Sequence, residues 1–323
     1  MKIQHKMAFG IALALLLIAP FGIYPIFLMK LLCFSLFACS FNLLLGFTGL
    51  LSFGHAAFFG GAGYMTGYLI QSCGVPSDLA LVAGAVMGAF LGLIMGTIAI
   101  RRQGIYFSMI TLALAQMWYF VCLQSPITGG EDGLQGIVRG KLFGFIDLPS
   151  DLNLYYLVLA IAVAGFLFIV RIIHSPFGMV LKAIKDNEPR AISLGYDVNK
   201  YKLLVFILSS SLAGLAGATK TLALGFCTLS DVHWSLSGVV ILMTLVGGMG
   251  TLSGPILGAV LILCIENKLG DIGNWLALVT HVEWFSSLGE SVSMVTGLIF
   301  IACVLLFRRG IIGEISGRWS LHL

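Results

Sequence analysis

A helix that crosses a bilayer core roughly 30 Å thick needs about 20 apolar residues at a rise of about 1.5 Å each, and the spacing of charged residues along this sequence meets that length repeatedly. Residues 7–29, 79–100, 103–130, 152–170, 203–219 and 291–307 each run without Asp, Glu, Lys or Arg, so each is expected to make one crossing. Residues 31–70 and 232–265 are also free of charge but fit no single span. The second would reach about 50 Å as one helix, yet two full helices need roughly 40 residues. Two short or broken helices are therefore expected there. Both stretches gather their glycines and serines at the middle. Two crossings in each give about ten spans: an all-α, polytopic transmembrane helical bundle with two broken or short helix pairs.

Composition agrees with lipid as the solvent. With 59% hydrophobic and 10% charged residues, the chain has too few polar side chains to cover a water-soluble globule, and residues 1–323 read as a single transmembrane domain. The net charge of +4 is small and belongs to no basic domain that could hold a nucleic acid. If Lys2 and Lys6 lie inside, alternation through ten spans puts thirteen of the eighteen Lys and Arg on that side. Among them are Arg101, Arg102, those of residues 171–202, Arg308, Arg309 and Arg318. Asp78, Glu131, Asp132, Asp147, Asp151, Asp271, Glu283 and Glu290 fall outside. The excess of inner cations satisfies the positive-inside rule and predicts both termini in the cytoplasm. Residues 1–19 look like a signal peptide, but the apolar run continues past Pro20 without a small-residue cleavage site, so a retained first span is expected. The seven cysteines are scattered, with no C-x-x-C pair and no metal-spaced histidine; they read as small core hydrophobes, and no metal site is expected.

Two loops are long enough to work. The outer one, about residues 125–151, contains a tight polar turn with Thr128, Gly129, Gly130, Asp132 and Gly133. The inner one, about residues 174–202, is mixed in charge. Pro176 stops the preceding span, and Phe177, Val180, Leu181 and Ile184 recur at helical spacing, as a short helix along a membrane surface requires. Asn187 and Pro189 break it, and a second short helix can run from Pro189 to Gly195. Two short helices with charged outer faces make a knob, which a separate soluble motor could grip or which could simply be a solvated loop that sets orientation.

The breaks are the other candidates. In the first lie Thr48, Gly49, Ser52, Gly54 and His55; in the second lie Gly247, Gly248, Gly250, Thr251, Ser253 and Gly254. Irregular backbone at membrane depth survives only where protein buries it or water wets it, which points to a translocation path. Close helix packing on small residues is the competing reading, and Gly250, Gly254 and Gly258 fit it. His55 reads as hydrogen-bonded structure more readily than as a proton relay, since no acid is near in sequence. Lys220 is expected to snorkel to the outer surface. No nucleotide-binding loop, zinc-protease motif, nucleophile elbow or intramembrane carboxylate pair occurs; energy, if used, must come from another chain. A stand-alone secondary transporter or channel and a polytopic membrane enzyme are the rival classes.

The blocks N-L-L-L-G-F-T-G-L-L-S-F-G-H-A-A-F-F-G-G-A-G-Y (42–64), G-I-Y-F-S-M-I-T-L-A-L-A-Q (104–116) and T-G-G-E-D-G-L (128–134) are similar to the permease subunits of branched-chain amino-acid ABC importers. The inner loop, then S-L-A-G-L-A-G-A (211–218) and G-G-M-G-T-L-S-G-P-I-L-G-A, continue the match in order from about Asn42 to Val260. The resemblance implies an ABC importer permease fold in a bacterial inner membrane, working by alternating access. It implies a second related permease subunit, two cytoplasmic ATP-binding subunits and a periplasmic solute-binding protein. ATP and Mg would sit on those partners, with no cofactor and no ATPase site in this chain. The coupling element would be the loop bearing Lys185, Asp186, Asn187, Glu188, Arg190 and Gly195. It matches the general coupling pattern of ABC permeases loosely, since Pro189 and Arg190 follow Glu188 where small residues are usual. The family also serves urea and short amides, so the solute stays open.

Overall fold

The computed structural model describes residues 10, 13–142, 146, 147, 150–280, 297, 298, 301, 310 and 311. It forms two compact units, Met1–Val240 and Ile241–Leu323. The helices are α1 (Pro25–Thr48), α2 (His55–Cys73), α3 (Ser77–Ala99), α4 (Ile105–Gln124), α5 (Asp151–Ile173), α6 (Pro176–Asp186), α7 (Glu188–Ser193), α8 (Val198–Leu224), α9 (Trp234–Gly247) and α10 (Gly254–Thr280). Among the described residues, five helices are long and apolar enough to cross a membrane: α1, α3, α4, α5 and α8.

Proline and glycine punctuate the chain. Pro25 opens α1 at a position where a missing N–H costs nothing, and Gly49, at φ +77°, closes it in the left-handed conformation that a Cβ disfavours. The crossing expected over residues 7–29 is not one helix: a 3₁₀ turn at Ala19–Phe21 ends the short helix before it. Pro20 and Pro25, unable to donate into a preceding turn, divide an apolar run that a count of charges reads as continuous. Residues 31–70 make two helices joined by a short loop. Residues 232–265 differ from expectation in their second half, because α10 is a 27-residue helix that runs on through Glu266 and Lys268. A charge ends an apolar run but not a helix, since Glu and Lys are good helix formers. The span expected over 291–307, both termini, Glu283, Glu290 and the C-terminal arginines lie outside the described residues.

In the first unit, α1 and α8 are the most enclosed of the five candidate spans. α1 is apolar all round, as a helix packed on every side must be. α8 packs against α3 through small residues: a Cβ at Gly88 would fall 2.6 Å from the Ser210 carbonyl oxygen and 2.9 Å from Gly214 Cα, so the two backbones meet directly. Leu28, Met29 and Leu32 of α1, Leu81 of α3, Leu154, Tyr155 and Val158 of α5 and Leu222 of α8 form one buried cluster. Side-chain contacts bring the C-terminus of α1, the α3–α4 turn, α6, α7 and the start of α8 to one end of this unit, the knob end. At the far end, β1 (Leu134–Gln135) pairs antiparallel with β4 (Phe226–Cys227), and β2 (Lys141–Leu142) with β3 (Ile146–Asp147).

In the second unit, the last turns of α9 and the start of α10 pack through glycine: a Cβ at Gly258 would fall 3.0 Å from Gly247 N.

Candidate coupling knob and broken helices

The knob is two capped helices with a core of their own. Ser175 caps α6, accepting from Gly178 N at 3.3 Å with Pro176 in the first turn, and Asn187 caps α7, accepting from Arg190 N at 3.0 Å. Ile184, Ala191 and Val198 are buried against Val180 and Tyr201, and the Phe177 ring stacks on Tyr201 with centroids 5.6 Å apart. Gly195, at φ +88°, ends the knob, with Tyr196 N donating to Ala191 O at 3.2 Å. Asp197 caps α8, and its bond to the Lys200 side chain holds its carboxyl below the usual range.

The six coupling residues chosen from sequence take different places. Lys185 Nζ donates to the Gly46 carbonyl at 2.6 Å, at the end of α1. Glu188 turns inward, its Oε1 accepting from Lys202 Nζ at 2.7 Å and from Gln103 Nε2 at 2.9 Å. Asn187 is spent on its cap and Gly195 on the turn. Asp186 and Arg190 are exposed. The outer face carries the expected charges, with Lys182, Lys185, Asp186 and Arg190 exposed, and also apolar side chains: Met179, Ile192 and Leu194 are 64%, 56% and 68% exposed. The inward side of α7 is filled by Ala191 alone, which leaves its other apolar residues outside.

The first break is pinned by hydroxyls. Ser108 Oγ donates to Leu51 O at 2.7 Å, Phe53 N donates to Thr111 Oγ1 at 3.2 Å, and Gly54 N to Ser52 Oγ at 3.2 Å. These bonds satisfy backbone groups of a loop that is buried or half-buried from Leu50 to Gly54. The loop delivers the N-terminus of α2 into the bundle, where Ala56 N donates to Ser237 Oγ at 2.9 Å. His55, fully buried, sits 2.9 Å from Ser209 Oγ through Nε2. Ser209 Oγ donates to Ser40 O at 2.6 Å, so Nε2 carries the proton toward Ser209. Nδ1 has no partner among the described residues, and Phe41, Phe58 and Phe206 meet the ring edge to face. Ser209 lies eleven residues into α8, about 16 Å along it, so α2 starts well inside the unit. Thr48 and Ser52 are buried; Thr48 Oγ1 donates back to Leu43 O at 3.3 Å.

In the second break, Gly248 and Gly250 have φ of +125° and +80°. Thr251 Oγ1 donates to Gly248 O at 2.8 Å and accepts from Gly254 N at 3.1 Å, closing a tight turn at the start of α10. Gly247 and Gly254 lie in the α9–α10 contact, and Ser253 precedes α10, its carbonyl accepting from Leu257 N at 3.2 Å.

At the far end, Thr128 Oγ1 donates to Ser125 O at 2.8 Å and also contacts Cys122 O. Gly129, Gly130 and Gly133 all have positive φ; Gly133 lies against the Cys227–Thr228 backbone, where any Cβ would collide. Asp132 is exposed, its carbonyl accepting from Gln135 Nε2 at 3.2 Å. Lys220 does not snorkel. It is 4% exposed, donates to Asp231 Oδ2 at 2.6 Å and lies 4.7 Å from the centroid of the Phe226 ring. A carboxylate eleven residues on offers a partner inside the protein, which removes the reason to reach for water.

Sequence reasoning missed the partners: Gly46, Gln103, Lys202, Ser209 and Asp231. Only the hydroxyl run Ser209–Ser210–Ser211, conspicuous inside an apolar span, signalled one of them. Among the described residues, no group of three or more His, Cys, Asp or Glu side chains is placed to hold a metal ion.

Several membrane-length helices, with a further helix that starts inside the bundle, define a multi-pass membrane protein. Residues 23–305 match the family described as "Branched-chain amino acid transport system / permease component". The chain belongs to that family. It is 27% identical over 261 residues to the high-affinity branched-chain amino acid transport system permease protein LivM of Escherichia coli, covering 74% of this chain and 61% of LivM. The autoinducer 2 import system permease protein LsrC of Klebsiella pneumoniae is 31% identical over 192 residues, covering 58% of this chain and 53% of LsrC. The ribose import permease protein RbsC of Haemophilus influenzae is 27% identical over 219 residues, covering 64% of this chain and 65% of RbsC. Each match spans less than two thirds of the relative's length.

Proposed function

We propose that this chain is the membrane-spanning subunit of an ATP-driven importer and that its solute is a branched-chain amino acid. The observation that carries the reading is the knob, whose capped helices leave Met179, Ile192 and Leu194 exposed together with Asp186 and Arg190. A solvated loop that only set orientation would need neither a core of its own nor exposed apolar side chains. Rigid helices transmit a push that a floppy loop would absorb. Two cytoplasmic ATP-binding subunits, carrying the ATP and Mg, would grip these exposed side chains. A second related permease would complete the pore, and a periplasmic solute-binding protein would deliver at the turn formed by residues 128–133.

Transport then proceeds by alternating access across the inner membrane. Thr48, Ser52, Thr251 and Ser253, with the carbonyls around them, would offer the solute weak contacts as it passes, since tight binding would slow release. The branched-chain assignment rests on family membership and on the likeness to LivM; the names of LsrC and RbsC place other solutes among the relatives.

The test is to purify the tagged chain in mild detergent and identify what accompanies it. The expected result is a second permease-like chain and two ATPases in stoichiometric amounts, with ATP-dependent leucine uptake after reconstitution with the binding protein. Recovery of the chain alone, still moving solute in liposomes, overturns the importer reading. Uptake of ribose or urea in preference to leucine overturns the solute.

A further inference from the structure

We infer that Lys185 and Glu188 are positioning residues that carry the knob's movement into the bundle, and are not contacts with the motor. The inference rests on the coupling role proposed above and assigns a division of labour within it: the exposed apolar side chains grip, and the charges bonded to the bundle transmit.

Two links support it. Lys185 joins the two regions that sequence singled out separately. Its ammonium donates to the carbonyl of Gly46 at 2.6 Å, in the last turn of α1, where helix carbonyls have no partner within the helix and a cation complements the helix dipole. Three residues on, Gly49 turns the chain into the loop that holds Ser52, Gly54 and the buried start of α2. A shift of α6 therefore acts, through one charge-assisted bond, on the backbone that sets the position of His55.

Glu188 supplies the second link. Its Oε1 accepts from Lys202 on α8 and Gln103 in the α3–α4 turn. Lys202 is 3% exposed, so its ammonium cannot exchange this carboxylate for water without large cost. When α7 moves, the foot of α8 has to follow. α8 in turn packs along α1, α2 and α3, and its Ser209 holds His55. Both links thus converge on the start of α2, one through α1 and the loop after it, the other through α8. Lys185 is exposed and Glu188 is partly buried, but the ammonium of one is spent on Gly46 and the carboxylate of the other on Lys202 and Gln103, whereas the exposed Met179, Ile192 and Leu194 have no such inward engagement.

The experiment uses the complete importer in proteoliposomes and reads two quantities: the ATPase subunits that co-purify and the ATP consumed per solute imported. Lys185→Met and Glu188→Gln are expected to keep their ATPases at the normal stoichiometry while ATP per solute rises about tenfold, the scale of a typical coupling free energy. Lys185→Arg, and Glu188→Lys combined with Lys202→Glu, are expected to return the ratio toward the original. An unchanged ratio in Lys185→Met and Glu188→Gln overturns the inference, as does loss of the ATPases from either. Met179→Asp with Leu194→Asp tests the underlying coupling reading separately: these are expected to lose the ATPases, and retention of full assembly and uptake sinks that reading whatever the Lys185 and Glu188 variants do.

Discussion

The two ends of α8 carry the same device in different settings. Near its start Lys202 pairs with Glu188 of the knob, and near its end Lys220 pairs with Asp231 of the following loop. Both lysines are buried, so each needs a carboxylate to offset the loss of water. The carboxylates differ. Asp231 is 10% exposed at its side chain and also accepts from Thr228 N at 3.0 Å, within a capping box that its own loop forms. Glu188 is 22% exposed and is held by side chains alone, from two other segments. An acid locked by nearby backbone fixes a turn. An acid held between separate elements joins bodies that can move relative to one another. The far end is thus held by the backbone of its own loop, and the knob end by side chains from separate segments.

That contrast makes Asp231→Ala the most damaging single change. It leaves the Lys220 ammonium buried without a partner, and the expected loss is about 3–5 kcal/mol of stability, read as a large fall in the unfolding midpoint in detergent. Replacing the pair together, Lys220→Met with Asp231→Leu, should recover most of that loss, because two apolar groups of similar volume leave no orphan charge; no recovery would mean that Asp231 acts mainly as the loop's cap. Glu188→Gln keeps one acceptor for Gln103 and Lys202, so its expected cost is smaller, about 1.5–2 kcal/mol, while uptake suffers far more than stability. A stability loss equal to that of Asp231→Ala would erase the distinction between the two ends.

The smallest effect belongs to Asp197→Asn. This carboxylate is exposed, and its Lys200 partner lowers its folded pKa. A depressed carboxylate stabilises the fold above its unfolded pKa and loses that contribution as pH falls through the folded value. Solvent and salt screen an exposed pair, and Asn still caps α8. Melting at neutral pH should therefore not change, and a measurable drop would show that this pair belongs with the buried ones.

Much of the architecture was legible in the residues because burial in lipid imposes a length and a composition on each helix. The helices expected over residues 79–100, 152–170 and 203–219 correspond to α3, α5 and α8, and the joint at the first break falls between Thr48 and His55. The knob was legible through Pro176, Asn187 and Pro189, whose backbone restrictions are local. The misreadings share a cause. The interruption at Ala19–Phe21 follows from prolines that break a helix, the long run of α10 from Glu and Lys that continue one, and the burial of Lys220 from the carboxylate it meets in space. A count of charges registers none of these.

What the sequence by itself determined is what local chemistry dictates: an apolar helical chain for a membrane, its breaks at glycine and serine, its capped knob and its family. Tertiary structure alone decided the pairing. Gly46 is 139 residues from Lys185, Ser209 is 154 from His55, and Gln103 is 85 from Glu188, and no spacing rule connects such positions. The direction in which Glu188 points followed from the buried ammonium of Lys202. A carboxylate turns toward the charge whose burial would otherwise go uncompensated, and that charge becomes a neighbour only when α8 packs beneath the knob.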